Sequence, residues 1–218
     1  MIEKAAKTAE EMELFPYYLY RQKNIAGNFE NVGYAKVDKA GIYNILIMEE
    51  KQSKGTRTES DLIGSREIPE SAMYGVQTLR GIENFRISKF HLNEYPLFIN
   101  ALAITKMGAA IANFNLGLLT EEQADAILKA CKEILEGKHH EQFPVDMIQG
   151  GAGTTTNMNA NEVIANRALE ILGYKRGEYQ YCSPNDHVNR SQSTNDAYPT
   201  AIHLSLIHIS EPTRLLSI

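Results

Sequence analysis

The chain has 218 residues, 22 of them basic and 27 acidic, for a formal net charge of −5, with 43% hydrophobic and 22% charged content. This is ordinary globular composition, enough for one domain or two, and for a core that needs no disulfide or metal to hold it. The mild acidity argues against a nucleic-acid partner, which selects a basic patch. No run of about 18 apolar residues is present, so no transmembrane helix and no membrane partner is expected. Residues Met1 to Glu13 lack the apolar centre of a secretory signal. None of this excludes a small anionic ligand, because a few local donors bind an anion on an acidic protein. Cys131 falls on an apolar helical face and Cys182 in a polar stretch, with no CxxC spacing. They read as reduced thiols of a cytoplasmic protein, with no zinc site and no disulfide framework.

In chain order, residues 1 to 57 differ from the rest. Ala5 to Leu14 has the pattern of a short helix stopped by Pro16, and Gly41 to Met48 is β-branched enough for a strand. Lys51 to Gly55 is a polar linker. From Thr58, glycines 64 and 75 and Pro69 punctuate short β-like pieces. Helices follow. Pro96 suits a first turn, and Leu97, Ala101, Ile104, Met107, Ile111 and Phe114 recur at helical spacing up to Gly117. Thr120-Glu121-Glu122-Gln123 is a capping box. It opens a helix whose buried face is Ala124, Ile127, Leu128, Cys131, Ile134 and Leu135, with Gly137 as its stop. A third helix is predicted from about Met158 to Leu172, ended by Gly173, and a fourth from near Ala197 with Pro199 in its first turn. No internal repeat is visible, and the fold class is mainly α.

Two polar clusters stand before these last helices: Gly150-Gly151-Ala152-Gly153-Thr154-Thr155-Thr156-Asn157 and Ser191-Gln192-Ser193-Thr194-Asn195-Asp196. Helix N-termini present unpaired N–H groups and the positive dipole end, which favour anions. Glycines let the backbone approach a ligand. Each cluster alone reads first as ordinary helix capping; its repetition makes a paired anion site an equal reading. The histidines carry less. His139-His140 sits in a charged loop and reads as solvated. His187 follows Asp186, and adjacent residues rarely face one another. No HExxH, P-loop or GxSxG pattern occurs. Gly151 to Thr156 lacks the third glycine and the preceding strand of a dinucleotide site.

Longer stretches carry more information. The segments Gly150 to Val163 and Gly177-Glu178-Tyr179-Gln180-Tyr181 through Pro184-Asn185-Asp186-His187-Val188-Asn189 to Gln192-Ser193-Thr194-Asn195-Asp196-Ala197-Tyr198-Pro199-Thr200 resemble the substrate-binding regions of the aspartase/fumarase superfamily. Asp61 to Gly64, Tyr74 to Arg80, Glu83-Asn84-Phe85 and Phe143 to Asp146 resemble the same family's N-terminal segments. Within it, Thr194 in Gln-Ser-Thr-Asn-Asp, the Gly-Ala-Gly-Thr of 151–154 and Ser183 before Pro-Asn-Asp resemble the aspartate ammonia-lyase branch more than class II fumarase. The resemblance implies the N-terminal domain of that fold with the start of its central helix bundle. It also implies a cofactor-free anti-elimination on a small dicarboxylate, with no metal, in a cytoplasmic homotetramer. Thr154, Ser193, Thr194 and Asn195 match positions that bind substrate. Thr155, Asn157, Asn185 and Asp186 match supporting positions or a secondary site.

The resemblance divides the chain into an unmatched extension (1–57), the family's first domain (58–196) and a truncated start of the central domain (197–218). Family members are longer, and their basic serine lies on a glycine-serine loop downstream of the matched part, so no catalytic residue is assigned. From about 207 the sequence departs from the family. Pro212 is expected to interrupt the helix there, since its ring clashes with the preceding turn, and the tail has the look of translated foreign sequence. The readings carried forward are an aspartate ammonia-lyase fragment inactive by itself, a fragment of a fumarase or other dicarboxylate lyase, and a non-enzymatic helical interaction domain.

Overall fold

The computed structural model describes residues 15–21, 30–35, 55–61 and 63–214, with side chains described within 55–206. The chain divides into two compact units, Met1–Lys54 and Gly55–Ile218. In the first, β1 (Phe15–Arg21) pairs antiparallel with β2 (Glu30–Ala35), and the register shifts between Pro16 and Tyr18. Proline has no N–H to give a ladder, so an irregularity beside Pro16 follows from its chemistry. This hairpin stands where the sequence suggested no strand. The helix expected at 5–14 and the strand expected at 41–48 lie outside the described residues.

The second unit opens with a hairpin, β3 (Thr56–Asp61) against β4 (Gly64–Pro69). Its turn is closed by Asp61, whose Oδ1 accepts the N–H of Ile63 at 2.9 Å and of Gly64 at 3.0 Å. Five helices follow: α1 (Val76–Asn84), α2 (Pro96–Asn115), α3 (Glu121–Leu135), α4 (Thr154–Ile171) and α5 (Thr194–Arg214). Helix α2 packs on α3 and α5, and α4 packs on α1, α3 and α5. The fold is mainly α, as the sequence indicated. The Thr120 capping box forms as expected: Gln123 N–H donates to the Thr120 hydroxyl and Thr120 N–H to the Gln123 side chain, both at 3.2 Å.

Four expectations change. Helix α4 starts at Thr154 rather than Met158, because Gly153 takes the left-handed conformation (φ 82°) and serves as the N-cap. The threonines are therefore the first helical turn, not a loop before it. Helix α5 starts at Thr194 and continues through Pro212 to Arg214. The expected break does not occur: the backbone is helical on both sides of Pro212, which gives up one N–H bond to the turn before it. Cys182 lies in the polar loop expected of it but is buried there. On α2 the core side is Phe98, Ile99, Ala101, Leu102, Ala103, Lys106, Ala110 and Asn113, while Leu97, Ile111 and Phe114 are exposed. By length and composition α2 would suffice to cross a membrane, but much of its surface is spent on α3 and α5, and it buries a lysine and an asparagine.

The core joins Ile99 and Leu102 of α2, Ile127, Cys131 and Ile134 of α3, Val163, Ile164 and Leu169 of α4, and Ala201 of α5, with Leu92, Phe143 and Val145 from the connections. Buried carboxylates tie the smaller elements to it. Glu162 of α4 accepts the N–H groups of Gly75, Gln77 and Thr78 at 2.8, 2.8 and 3.0 Å, and so caps α1 from outside its own chain segment. Glu59 of β3 accepts the next N–H, from Val76, at 3.1 Å, and the Tyr179 hydroxyl at 2.9 Å. Gly75 lies between them; a Cβ there would sit 2.6 Å from Glu59 and 2.8 Å from Glu162. Burial raises the Glu162 pKa, and the N–H groups it accepts oppose the rise. Asp61 pairs with Arg80 at 2.8 Å. Asp146 gathers Ile87 N–H, Ser88 N–H and hydroxyl, and Ile148 N–H.

Replacing Glu162 by Ala strands three N–H groups at a buried helix start. We expect a loss of more than about 3 kcal/mol of stability in urea unfolding of the whole chain. Three other carboxyls are held well below their ordinary range. The Arg80 hydrogen bond brings Asp61 to about 2, and the Arg167 hydrogen bond brings Glu133 to about 2. At Asp146 burial works upward, but the bonds from Ile148, Ser88 and Ile87 outweigh it and bring the group to about 2. Depressed carboxylates stabilise above their unfolded values and lose that effect as pH falls through the folded ones. The melting temperature is therefore expected to fall steeply between about pH 4 and 2, and the Asp146→Asn variant to show a shallower fall.

Candidate functional site

The N-termini of α4 and α5 meet. Gly153 carries no side chain, and a Cβ at that position would overlap the ring of Tyr198 in the first turns of α5. The positive φ of Gly153 and this close approach both require glycine. Across the join, Asn157 Nδ2 donates to Thr194 Oγ1 at 3.2 Å. The two clusters singled out in the sequence thus form one place.

Behind it lies Lys106 of α2, with no solvent exposure. Its ammonium donates to Asn157 Oδ1 at 2.7 Å, Asn189 Oδ1 at 2.9 Å and Gln192 Oε1 at 3.0 Å. Three donors meet three carbonyl oxygens. Among the described residues no carboxylate pairs with it. The remaining amide groups are also used: Asn157 Nδ2 donates to Asn189 Oδ1 at 3.1 Å, Asn189 Nδ2 to Gln192 carbonyl at 3.1 Å, and Gln192 Nε2 to Val188 carbonyl at 2.8 Å. Asn113 of α2 holds the same turn by donating to the Arg190 carbonyl at 2.9 Å. Ser191 in this turn is left-handed (φ 59°), a conformation costing a non-glycine residue roughly 1 kcal/mol, so the surrounding bonds hold it there.

The predicted residues are placed as follows. Thr154 is exposed in the first turn of α4. Ser193 and Asn195 are exposed and Thr194 is half-buried; the Ser193 hydroxyl accepts Asn195 N–H at 3.2 Å. Asn157 is buried and joins Lys106 to Thr194. Thr155 is turned elsewhere, with its methyl against Gly81 of α1. Asn185 and Asp186 lie exposed on the π-helical turn Pro184–Val188, and Asp186 is engaged with the Ser183 hydroxyl at 3.0 Å. His187 accepts Ser183 N–H on Nδ1 at 2.7 Å and does not face Asp186 as a dyad would; burial lowers its pKa. His139 bonds Glu133 and His140 bonds the Ile134 carbonyl, so this pair is tied into the surface of α3. Among the described residues no cluster of three metal-ligating side chains occurs.

Sequence reasoning missed Lys106, and named Asn189 and Gln192 only within longer segments without giving them a role. A signal was present: Ile99, Leu102, Lys106, Ala110 and Asn113 recur on one helical face, and a charge inside an apolar stripe is the mark of a buried polar cluster.

Solved structures share this arrangement of helices. A fumarate lyase:delta crystallin from Brucella melitensis, in a crystal structure bound to cobalt, matches with a TM-score of 0.70 and 56% identity over 71% of this chain and 34% of that one. A class II fumarase from Schistosoma mansoni matches with a TM-score of 0.63 and 39% identity over 70% and 32%. The fold is thus that of the fumarate lyase and fumarase proteins. Residues 64–213 match the lyase family model, and the chain belongs to the lyase family. It is 58% identical over 150 residues to aspartate ammonia-lyase of Helicobacter pylori (strain J99), covering 69% of this chain and 32% of that one. It is 52% identical over 162 residues to the Escherichia coli K12 enzyme of the same name, covering 72% and 34%. The chain spans about a third of the length of the curated relatives it matches.

Burial pulls the Lys106 pKa down to about 7, and the neighbouring thiol Cys131 is pushed up to about 12 by its own burial. An unfolded lysine titrates near about 10.4. Between the two values the unfolded chain binds more protons, so stability rises with pH. The rise is cleanest from about pH 7 to 9, before the buried thiols begin to act in the opposite sense. Melting temperatures of the whole chain are expected to climb across this window, and Lys106→Met to flatten the climb.

Proposed function

We propose that this chain is the carboxylate-binding part of an aspartate ammonia-lyase, which converts L-aspartate to fumarate and ammonium by anti-elimination. A base takes a proton from the carbon beside the β-carboxylate, and the electron pair flows into that carboxylate to give an enediolate-like dianion. The C–N bond then breaks and ammonia leaves with its bonding pair, as ammonium once protonated. Thr154, Ser193, Thr194 and Asn195 offer hydroxyl and amide donors at two helix starts, where charge grows in this transition state. Donors fixed in advance at such a point need no reorganisation during the reaction. Thr155, Asn157, Asn185 and Asp186 take supporting or secondary positions.

The observation that carries the reading is the 52–58% identity to aspartate ammonia-lyases, taken with Thr194 in its Ser-Thr-Asn setting at the start of α5. The proposal includes the first family domain over 58–196, the central bundle beginning at 197, a cytoplasmic homotetramer, and chemistry without added cofactor. No catalytic base is assigned within the chain, and the 218 residues alone are expected not to turn over aspartate. Ammonia release by them would overturn that part.

In a full-length lyase chain containing this sequence, aspartate is expected to yield fumarate, with Ser193→Ala lowering kcat by about 10²–10³. An unchanged rate would remove Ser193 from the mechanism. Hydration of fumarate in place of its amination would identify a class II fumarase instead.

A further inference from the structure

Lys106 is buried with no counter-charge and is an ammonium below about pH 7, and nothing in the reaction as written uses it. Burying an ammonium costs several kcal/mol even after relaxation, so its position requires a return. The bonds around it show one. An ammonium has only donors. The Asn157 atom 2.7 Å from Lys106 Nζ must therefore be the carbonyl oxygen, and the other end of that amide must be its NH₂. That NH₂ donates to Thr194 Oγ1. Thr194 accepts there, so its own hydroxyl proton points elsewhere. Among the described residues nothing accepts that proton, while the Asn157, Asn189 and Gln192 side chains are each engaged at both ends. The polarity is set by Lys106 on the oxygen side of the Asn157 amide and by Asn189 Oδ1 on its NH₂ side. It ends as a free donor at the N-terminus of α5, half-exposed beside Ser193 and Asn195.

We propose that Lys106 is a positioning residue: through Asn157 it fixes Thr194 as a hydrogen-bond donor to the substrate carboxylate. This rests on the dicarboxylate-lyase reading above. It adds a residue on α2, 88 positions before Thr194, that touches no substrate and governs the direction in which the site's central hydroxyl donates. Without the ammonium the Asn157 amide loses the bond on its oxygen side and is oriented only by Asn189 Oδ1, so the turned-over arrangement becomes more populated. In that arrangement the amide oxygen faces Thr194, and the hydroxyl donates inward to the protein.

The test uses the full-length lyase chain at about pH 6.5, where Lys106 is mostly the ammonium, with kcat and KM for aspartate and the melting temperature measured for each variant. Lys106→Met removes the ammonium at similar volume. Asn157→Asp guards against a folding failure. It keeps an acceptor for Lys106 and gives it a counter-charge, which offsets the lost bond to Asn189 Oδ1, and it places an acceptor opposite Thr194, while the melting temperature reports whether the fold is kept. Both are expected to lower kcat by about 10²-fold with little change in KM, the mark of a donor used in the transition state. Thr194→Val should cost a similar factor. The decisive reading is the pair Asn157→Asp with Thr194→Val, which should lose no more than either single change, because both remove one donor. Multiplying losses would mean that Asn157 acts independently of Thr194 and would overturn the proposal, as would a folded Asn157→Asp enzyme within about 3-fold of the unaltered kcat. An unaltered full-length chain with no turnover of any dicarboxylate would overturn the functional reading itself, and the proposal with it. Activity in the unaltered chain with indifferent variants overturns the proposal alone.

Discussion

One buried ammonium constrains the centre of this structure. Lys106 can be accommodated only if all three of its protons find oxygen, and the oxygens come from three different places: the first turns of α4, the turn after Val188, and the residue just before Ser193. An unmatched donor here would cost the desolvation of a charged group. The segments supplying the oxygens are therefore held in register with one another and with α2. The left-handed Ser191 and the apposition of the two helix starts depend on that same requirement.

Helix α4 carries the arrangement in two directions. Near its start Asn157 faces the lysine. Just over one turn later Glu162 reaches back to cap α1, and Asn166 donates to the Met73 carbonyl and accepts Gly177 N–H. The hairpin β3–β4 is fastened to α1 through Asp61 and Arg80. The polar residues of α4 are thus buried because they serve as caps and ties for neighbours, and an apolar-face reading of this helix leaves them out. Its apolar residues, Val163, Ile164 and Leu169, do the packing between them.

The electrostatics also change with the structure. A chain of net charge −5 is an unpromising anion binder by composition, and helix starts with neutral donors answered that in the sequence. The fold adds Lys106 beneath those donors, shielded from solvent and without a carboxylate partner among the described residues, a cation below about pH 7 whose field is little screened there. Local arrangement, not net charge, decides what such a surface holds.

The elements stated by local chemistry were legible. The capping box at Thr120, the first-turn Pro96, the glycine stops and the apolar face of α3 depend on residues within a turn or two of one another, and they appear where the sequence put them. The two polar clusters were legible as well, as helix starts rich in hydroxyls and amides. Their exact boundaries were not, since a left-handed Gly153 moved the threonines from loop into helix, and α5 runs on through Pro212. What the sequence alone could not supply was the meeting of the clusters. Lys106 stands 51 residues from Asn157 and 86 from Gln192, and only the packing of α2 against α4 and α5 brings it beneath them. A buried charge selects its partners by distance in space, and no periodicity along the chain encodes that distance.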